Sequence, residues 1–135
     1  MGFPDGFWDR YKDRLVQRKG SETCFILPVE TEGELFLLID SFIAGTVRLM
    51  TITGYPDKEG RLYLEYHFTD GLRCVSLKYQ VPDDKKLKSL TPKLPAAGWA
   101  EREIMDLFDI VFEGHPNPAR LLIPDDMPRG VYLRT

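Results

Sequence analysis

The sequence predicts an α+β fold: helices on one face of a mixed or antiparallel sheet of about four strands, followed by an extended C-terminal arm over about 113–135. Three observations point there. Apolar residues recur at helical spacing through 35–42 and again through 100–108. Between those stretches the period changes to two, starting near Thr46. Asp70-Gly71, a strong short hairpin signal, separates two alternating runs.

Taken in order, residues 5–19 place Phe7, Trp8, Tyr11 and Leu15 near helical spacing and end at Gly20, so a first amphipathic helix is expected there. The run TCFILPV (23–29) suits a short buried strand. Thr31-Glu32-Gly33-Glu34 has the form of a capping box, in which the Thr hydroxyl and the Glu side chain cap each other's backbone N–H. The helix that follows carries the stripe Leu35, Leu38, Ile39 and Phe42, with Gly45 placed for a left-handed C-cap.

VRLMTIT reads as a strand, YPDKEG as a turn, and RLYLEYHF and LRCVSLKYQV as a hairpin. With Asp70 and Gly71 as the two turn residues, Thr69 faces Leu72, Phe68 faces Arg73 and His67 faces Cys74. One face of the hairpin then carries Leu62, Leu64, Tyr66, Val75, Leu77 and Tyr79. The other carries Tyr63, Glu65, His67, Cys74, Ser76 and Lys78, the division expected of a sheet covered on one side. Residues 81–98 read as a charged, proline-containing connector with room for one helical turn. A last helix is expected from about Pro95 to Phe108 or Asp109.

Length and charge bound the function. A chain of 135 residues with 43% hydrophobic content is long enough for one core, so a single domain is expected. Eighteen basic and 21 acidic residues give a net charge of −3, which offers no phosphate-neutralising surface, so no nucleic acid is expected as partner. The longest apolar run, LFLLI at 35–39, falls far short of the roughly 20 residues of a membrane span. The N-terminus lacks the features of a signal or transit peptide, which gives a cytoplasmic expectation. Cys24 and Cys74 stand 50 positions apart with no second Cys or His at ligand spacing. Two buried thiols are expected there in preference to a disulfide, with no metal or other cofactor in this chain.

The densest group of chemical side chains is GWAEREIMDLFDIVFEGHPNPAR (98–120). On a helical wheel Ala100, Leu107, Phe108 and Val111 fall within about 60° of Ile104, a stripe facing the sheet. Arg102 and Asp106 lie opposite as i,i+4 partners. Glu101 and Glu103 are about 160° apart around the axis and do not converge on one atom, which argues against paired acid–base catalysis. Glu101 lies near the stripe and, if partly buried, needs a cationic or N–H partner, for which Arg120 and Arg134 are candidates. The cluster reads either as a helix edge braced to its own arm or as an intermolecular contact. His115, between Gly114 and Pro116, is presented from a stiff loop as a contact or a proton-handling group. No phosphate loop, nucleophile elbow or zinc-helix motif is present. A small metal-binding protein or enzyme built on His67, Cys74 and His115 is the alternative.

The pattern W-x-E-R-E-x-x-D-L-F-x-I-x-F-x-G-H-P resembles a family of NADH-quinone oxidoreductase components, the thirty-kilodalton subunit of respiratory complex I, which has relatives in membrane-bound energy-converting NiFe hydrogenases. Trp99, Glu101, Arg102, Glu103, Asp106, Phe108, Ile110, Phe112, Gly114, His115, Pro116 and Arg120 carry it, followed by Leu121, Leu122 and Pro124. RLYLEYHF extends it loosely over most of 34–125. The family usually has Gly where this chain has Asp109, which sets the residue type against a tight turn, and its C-terminal Pro-Leu-Arg-Lys-Asp segment is reduced here to Tyr132, Leu133, Arg134 and Thr135. The compact length looks more like the hydrogenase-type version. The resemblance implies a non-catalytic subunit peripheral on the cytoplasmic side of its membrane. It would dock on a NiFe-hydrogenase-like large subunit beside iron-sulfur subunits, and the clusters, with any NiFe centre, would belong to those partners. The contacts it implies are Trp99, Glu101, Arg102, Glu103, Asp106, Gly114, His115, Pro116 and Arg120.

Overall fold

The computed structural model describes residues 2–116. The elements are α1 (Phe7–Tyr11), β1 (Val16–Gln17), β2 (Cys24–Val29), α2 (Glu32–Ala44), β3 (Arg48–Pro56), β4 (Leu62–Thr69), β5 (Cys74–Gln80), β6 (Lys86–Lys88), a 3-10 turn (Pro95–Ala97), α3 (Gly98–Phe108) and β7 (Val111–Glu113). Five strands form one mixed sheet in the order β1-β2-β5-β4-β3, with β2 parallel to β5 and the other pairs antiparallel. The α+β expectation holds, with five strands in this sheet where about four were expected. A separate two-stranded parallel ribbon joins β6 to β7.

The core lies between the sheet and the helices. Leu27 and Val29 of β2, Leu64, Tyr66 and Phe68 of β4, and Val75, Leu77 and Tyr79 of β5 are buried against Leu35, Leu38, Ile39 and Phe42 of α2. Ile104, Met105 and Phe108 of α3 extend the same core over β3. There Gly54 permits the close approach: a Cβ would stand 3.0 Å from the Ile104 Cδ1 and 3.1 Å from carbons of Leu64 and Phe108. Phe3 and Phe7 close one end of the core, stacked at 5.5 Å and packed edge-on against Phe42.

Several expectations change. The first helix stops at Tyr11, and Val16 and Gln17 pair instead with Ile26 and Phe25 as an edge strand. The Arg14 guanidinium explains part of the redirection, because it bonds the Pro28 carbonyl and both oxygens of Glu34. The capping box is consequently half formed: Glu34 N–H donates to the Thr31 hydroxyl, while the Glu34 side chain goes to Arg14. At the other end of α2, Gly45 is not left-handed (φ −101°), and its N–H closes a tight last turn on the Phe42 carbonyl.

The β4–β5 register also differs. The turn spans Asp70-Gly71-Leu72-Arg73, with the Asp70 carboxylate accepting from the N–H groups of Leu72 and Arg73. Thr69 therefore faces Cys74 and His67 faces Ser76. Lengthening the turn by two residues slides each partner by two positions and preserves the side-chain alternation, so both faces keep the expected residues. The outer face is more covered than expected, with Glu65 and Ser76 buried. Cys24 and Cys74, 50 positions apart in the sequence and expected to be buried, are half-buried register partners at the starts of β2 and β5.

Residues 86–88 of the connector form β6, which three residues of Lys-Leu-Lys do not signal. The single helical turn expected in that segment is present at Pro95–Ala97. Helix α3 ends at Phe108, so Val111 leaves the predicted stripe and is 50% exposed on β7. The residue that ends the helix is Asp109, left-handed at φ 57° and ψ 39°, its N–H donating to the Met105 carbonyl. The tight turn thus forms with Asp where the resembling family has Gly, since a short polar side chain tolerates this conformation better than most. The arm beyond Pro116, with Arg120 and Arg134, lies outside the described residues. Replacing Asp109 by Gly removes the Cβ penalty of the left-handed conformation and is expected to stabilise the fold by about 0.5–1 kcal/mol, read as a higher urea midpoint.

Candidate functional site

The Glu-Arg-Glu segment begins on the first turn of α3, where Pro95 and the 3-10 turn set the helix entry. Glu101 is fully buried. Its Oε1 accepts from the Ser89 hydroxyl at 2.6 Å and the Thr91 hydroxyl at 2.7 Å, and its Oε2 accepts from the Leu90 backbone N–H at 2.7 Å. Ser89 and Thr91 are themselves buried, with Thr91 N–H donating back to the Ser89 hydroxyl. Three donors on three successive residues thereby hold one carboxylate, the condition under which a buried acid is tolerated.

His115 closes the other side. Its ring Nε2 donates to the Gly98 carbonyl at 3.3 Å and lies 3.7 Å from the Glu101 Oε1, with the side chain 2% exposed. The loop is fixed by Ser89 N–H to the Glu113 carbonyl and His115 N–H to the Phe112 carbonyl. Gly114 supports the turn in a left-handed conformation at φ 85°. Glu101 is thus the point where α3, the segment after β6 and the Gly-His-Pro loop meet. Arg120 and Arg134, proposed as its cation from the sequence, lie outside the described residues, and the three donors to its oxygens are neutral.

The other motif residues divide by exposure. Asp106, set opposite the apolar stripe by the wheel, is nevertheless fully buried. With no exposed surface, neither Glu101 nor Asp106 can meet a partner directly in this conformation. Trp99 is 63% exposed, and Arg102 and Glu103, three and four residues on, are half-buried on the same side of α3. Gly114 and Pro116 are exposed at the loop.

A second polar group occupies the outer face of the sheet. The Glu65 carboxylate accepts from the Tyr55 hydroxyl at 2.7 Å and pairs with the Arg18 guanidinium. Burial pushes the Glu65 carboxyl up, but the hydrogen bonds from Tyr55 and Arg18 outweigh it and hold the group below the ordinary range. Burial and then the Glu65 hydrogen bond and charge raise the Tyr55 phenol. Beside them His67 bonds the Thr53 hydroxyl at 2.8 Å and the Ser76 hydroxyl at 2.6 Å through its two ring nitrogens. Burial lowers its basicity against the opposing pull of Glu65. Sequence reasoning missed this network, whose only signal is the polar alternation of β4. His67 and Cys74 are not opposite, and His115 sits on α3's side of the fold. Among the described residues no three His, Cys, Asp or Glu side chains converge at ligand distance.

Residues 35–135 match the family described as respiratory-chain NADH dehydrogenase, 30 Kd subunit. A NADH-quinone oxidoreductase subunit from Salinispora arenicola is 52% identical over 121 residues, covering 84% of this chain and 49% of the relative. The protein of the same description from a Nocardioides species is 44% identical over 78 residues, covering 55% of this chain and 31% of the relative. The chain thus matches no more than about half the length of these relatives. Among solved structures, a chain of the membrane-bound sulfane sulfur reductase, described as an archaeal respiratory membrane complex, superposes with a TM-score of 0.74 at 21% identity. The match covers 93% of this chain and 79% of that one. A trypsin-resistant fragment of Nqo5 gives 0.63 at 24% identity over 80% of this chain and 92% of the fragment. These two similarities concern the fold.

The clasp and the outer network give separate expectations. Glu101→Ala leaves two hydroxyls and one N–H buried without their acceptor and should cost about 3–5 kcal/mol, measured by urea unfolding. Glu101→Gln should cost less, because the Ser89 and Thr91 hydroxyls can reverse and accept from the amide. For His67 the folded pKa lies below the unfolded value, so the unfolded chain binds more protons between the two. Its contribution is present above about pH 6.5 and is lost as pH falls through the folded pKa. Glu65 follows the same sign in the carboxyl range. Tm should therefore fall on acidification from pH 7 to 5, with His67→Gln flattening that dependence.

Proposed function

The chain belongs to the 30 kDa subunit family of the respiratory-chain NADH dehydrogenase, and on that premise we propose that it is a docking subunit, non-catalytic in itself, of a membrane-associated multisubunit oxidoreductase. The observation that carries this reading is the division of α3. Its Glu101 is turned inside, while Trp99 stands exposed beside Arg102 and Glu103. An exposed tryptophan flanked by charged residues on a helix braced from within suits an interface anchor, because little conformational freedom is lost on binding.

The neighbour it would take is the large subunit that resembles a NiFe hydrogenase, with iron-sulfur subunits alongside and the redox centres held by those partners. Gly114 and Pro116 extend the proposed contact, and the family pattern adds Arg120. Glu101 and His115 act behind the surface by holding α3 and its loop in place. No helix among the described residues is long and apolar enough to cross a membrane, and the proposed attachment is peripheral, through the complex, on the cytoplasmic side.

The test is co-purification of the partner subunits with the tagged chain from its native host. Trp99→Ala, at an exposed position, is expected to leave the unfolding midpoint unchanged and to reduce recovered large subunit about thirtyfold, the effect of losing an anchor worth about 2 kcal/mol. Arg102→Glu should act in the same direction. Full recovery of the complex with both folded variants would overturn the assignment of this helix face.

A further inference from the structure

We propose that Cys24 and Cys74 form a dithiol site that closes to an intramolecular disulfide by exchange with low-molecular-weight disulfides of the glutathione type. This inference stands apart from the docking role, since it concerns the far end of the β2–β5 pair. Cys24 and Cys74 are direct register partners on the two parallel strands. Neighbouring strands lie about 4.8 Å apart and opposed side chains leave on the same face. That spacing falls inside the Cα separation of about 4.4–6.8 Å that a disulfide spans.

Each cysteine is also the first residue of its strand. The register is fixed from both sides, by Thr69 opposite Cys74 and by the Arg18 N–H on the Cys24 carbonyl, so the two sulfurs are held as neighbours by the sheet itself. Both residues are half-buried and therefore within reach of a small reagent.

The surroundings distinguish the two sulfurs. Cys24 is held below the ordinary thiol range, first by hydrogen bonding from Ser21 and next from Cys74, with Thr23 and the Arg18 charge acting the same way. Ser21 is fixed for this, because its hydroxyl oxygen also accepts from the N–H groups of Thr23 and Cys24. Cys74 is raised, first by burial and then by Cys24, against an opposing hydrogen bond from Thr69 and with Asp70 adding to the rise. Cys24 is thus the attacking sulfur and Cys74 the resolving one, since the thiolate is the reactive form.

The chemistry balances without any further reagent. The Cys24 thiolate attacks one sulfur of a disulfide RSSR, the S–S bond breaks, and RS⁻ leaves to take up a proton. Cys74 then loses its proton and attacks Cys24 Sγ in the mixed disulfide, expelling the second RS⁻. Two protein thiols are oxidised to one disulfide, and RSSR is reduced to two RSH. The product ties β2 to β5 at the parallel joint of the sheet.

The experiment equilibrates the folded full chain with oxidised glutathione, quenches with acid and maps the peptides by mass spectrometry. The expected product is a Cys24–Cys74 peptide pair in the wild type. In Cys74→Ser the expected product is a stable glutathione adduct at Cys24. In Cys24→Ser the adduct at Cys74 should form at least about tenfold more slowly than that at Cys24, because the thiolate fraction is smaller. Reversal by dithiothreitol should restore both thiols. A wild-type chain that accumulates mixed disulfides without the bridge, or keeps both thiols free under the same conditions, overturns the proposal, and this arm needs no variant to fold.

Discussion

The arrangement of the second half of the fold depends on one buried carboxylate. Taking Glu101 out of water costs several kcal/mol unless donors replace the lost hydration. Ser89, Leu90 and Thr91 supply three. Its place in the first turn of α3 adds a favourable field, since a negative charge there faces the positive end of the helix dipole. Because those donors come from a segment that has no helix of its own, the carboxylate positions that segment as much as the segment neutralises the carboxylate. The β6–β7 ribbon and the His115 contact to Gly98 then fix the far side of the helix. Disturbing the acid would release α3 and the ribbon together, although the apolar stripe of Ile104 and Phe108 would remain.

The sheet faces could be read from the sequence because side-chain alternation has a period of two and survives any even error in register. The hairpin shows this directly. A four-residue turn replaced the expected two-residue one, every cross-strand partner moved, and Leu64, Tyr66, Leu77 and Tyr79 still reached the core. Which residues face each other was not legible, because it depends on whether the Asp70 side chain caps Leu72 and Arg73, a choice between near-equal local structures. The N-terminal helix failed for a different reason. Its spacing was adequate over one turn, but beyond Tyr11 the residues gain more by edge pairing with β2 and by the Arg14 clamp on Glu34 than by continuing a charged helix.

Within the site, the wheel correctly placed Glu101 close to the apolar stripe and failed on Asp106. Helical periodicity counts one buried face, whereas α3 is covered on two sides, by the sheet and by the segments preceding and following it. The contribution of Ser89 and Thr91 was illegible because nothing in the spacing of a proline-containing connector shows that it folds back over a helix beginning nearly ten residues later. The alternation of Ser89, Leu90 and Thr91 is the trace that remains: the two hydroxyls share one side and the backbone N–H between them completes the set. Cys24 and Cys74 were illegible as neighbours for a topological reason. Parallel pairing of β2 with β5 is set by the intervening helix and hairpin, and no local signal encodes it.

The geometry also explains why an acidic cluster that looks catalytic in the sequence does no chemistry of that kind at Glu101. General-base action requires an accessible lone pair within reach of a substrate proton. The Oε1 of Glu101 already accepts from two hydroxyls and its Oε2 from a backbone N–H, in a position with no solvent exposure. An incoming substrate would have to displace donors that are themselves buried and would be left unpaired. The same saturation that disables the group as a base makes it effective as a brace, since each of the three donors restrains the carboxylate in a different direction. The opposite condition holds on the outer side of the same helical turn, where Trp99 keeps most of its surface exposed. A single helix therefore carries a braced carboxylate on its inner side and an exposed tryptophan beside Arg102 and Glu103 on its outer side, the arrangement on which the proposed docking role rests.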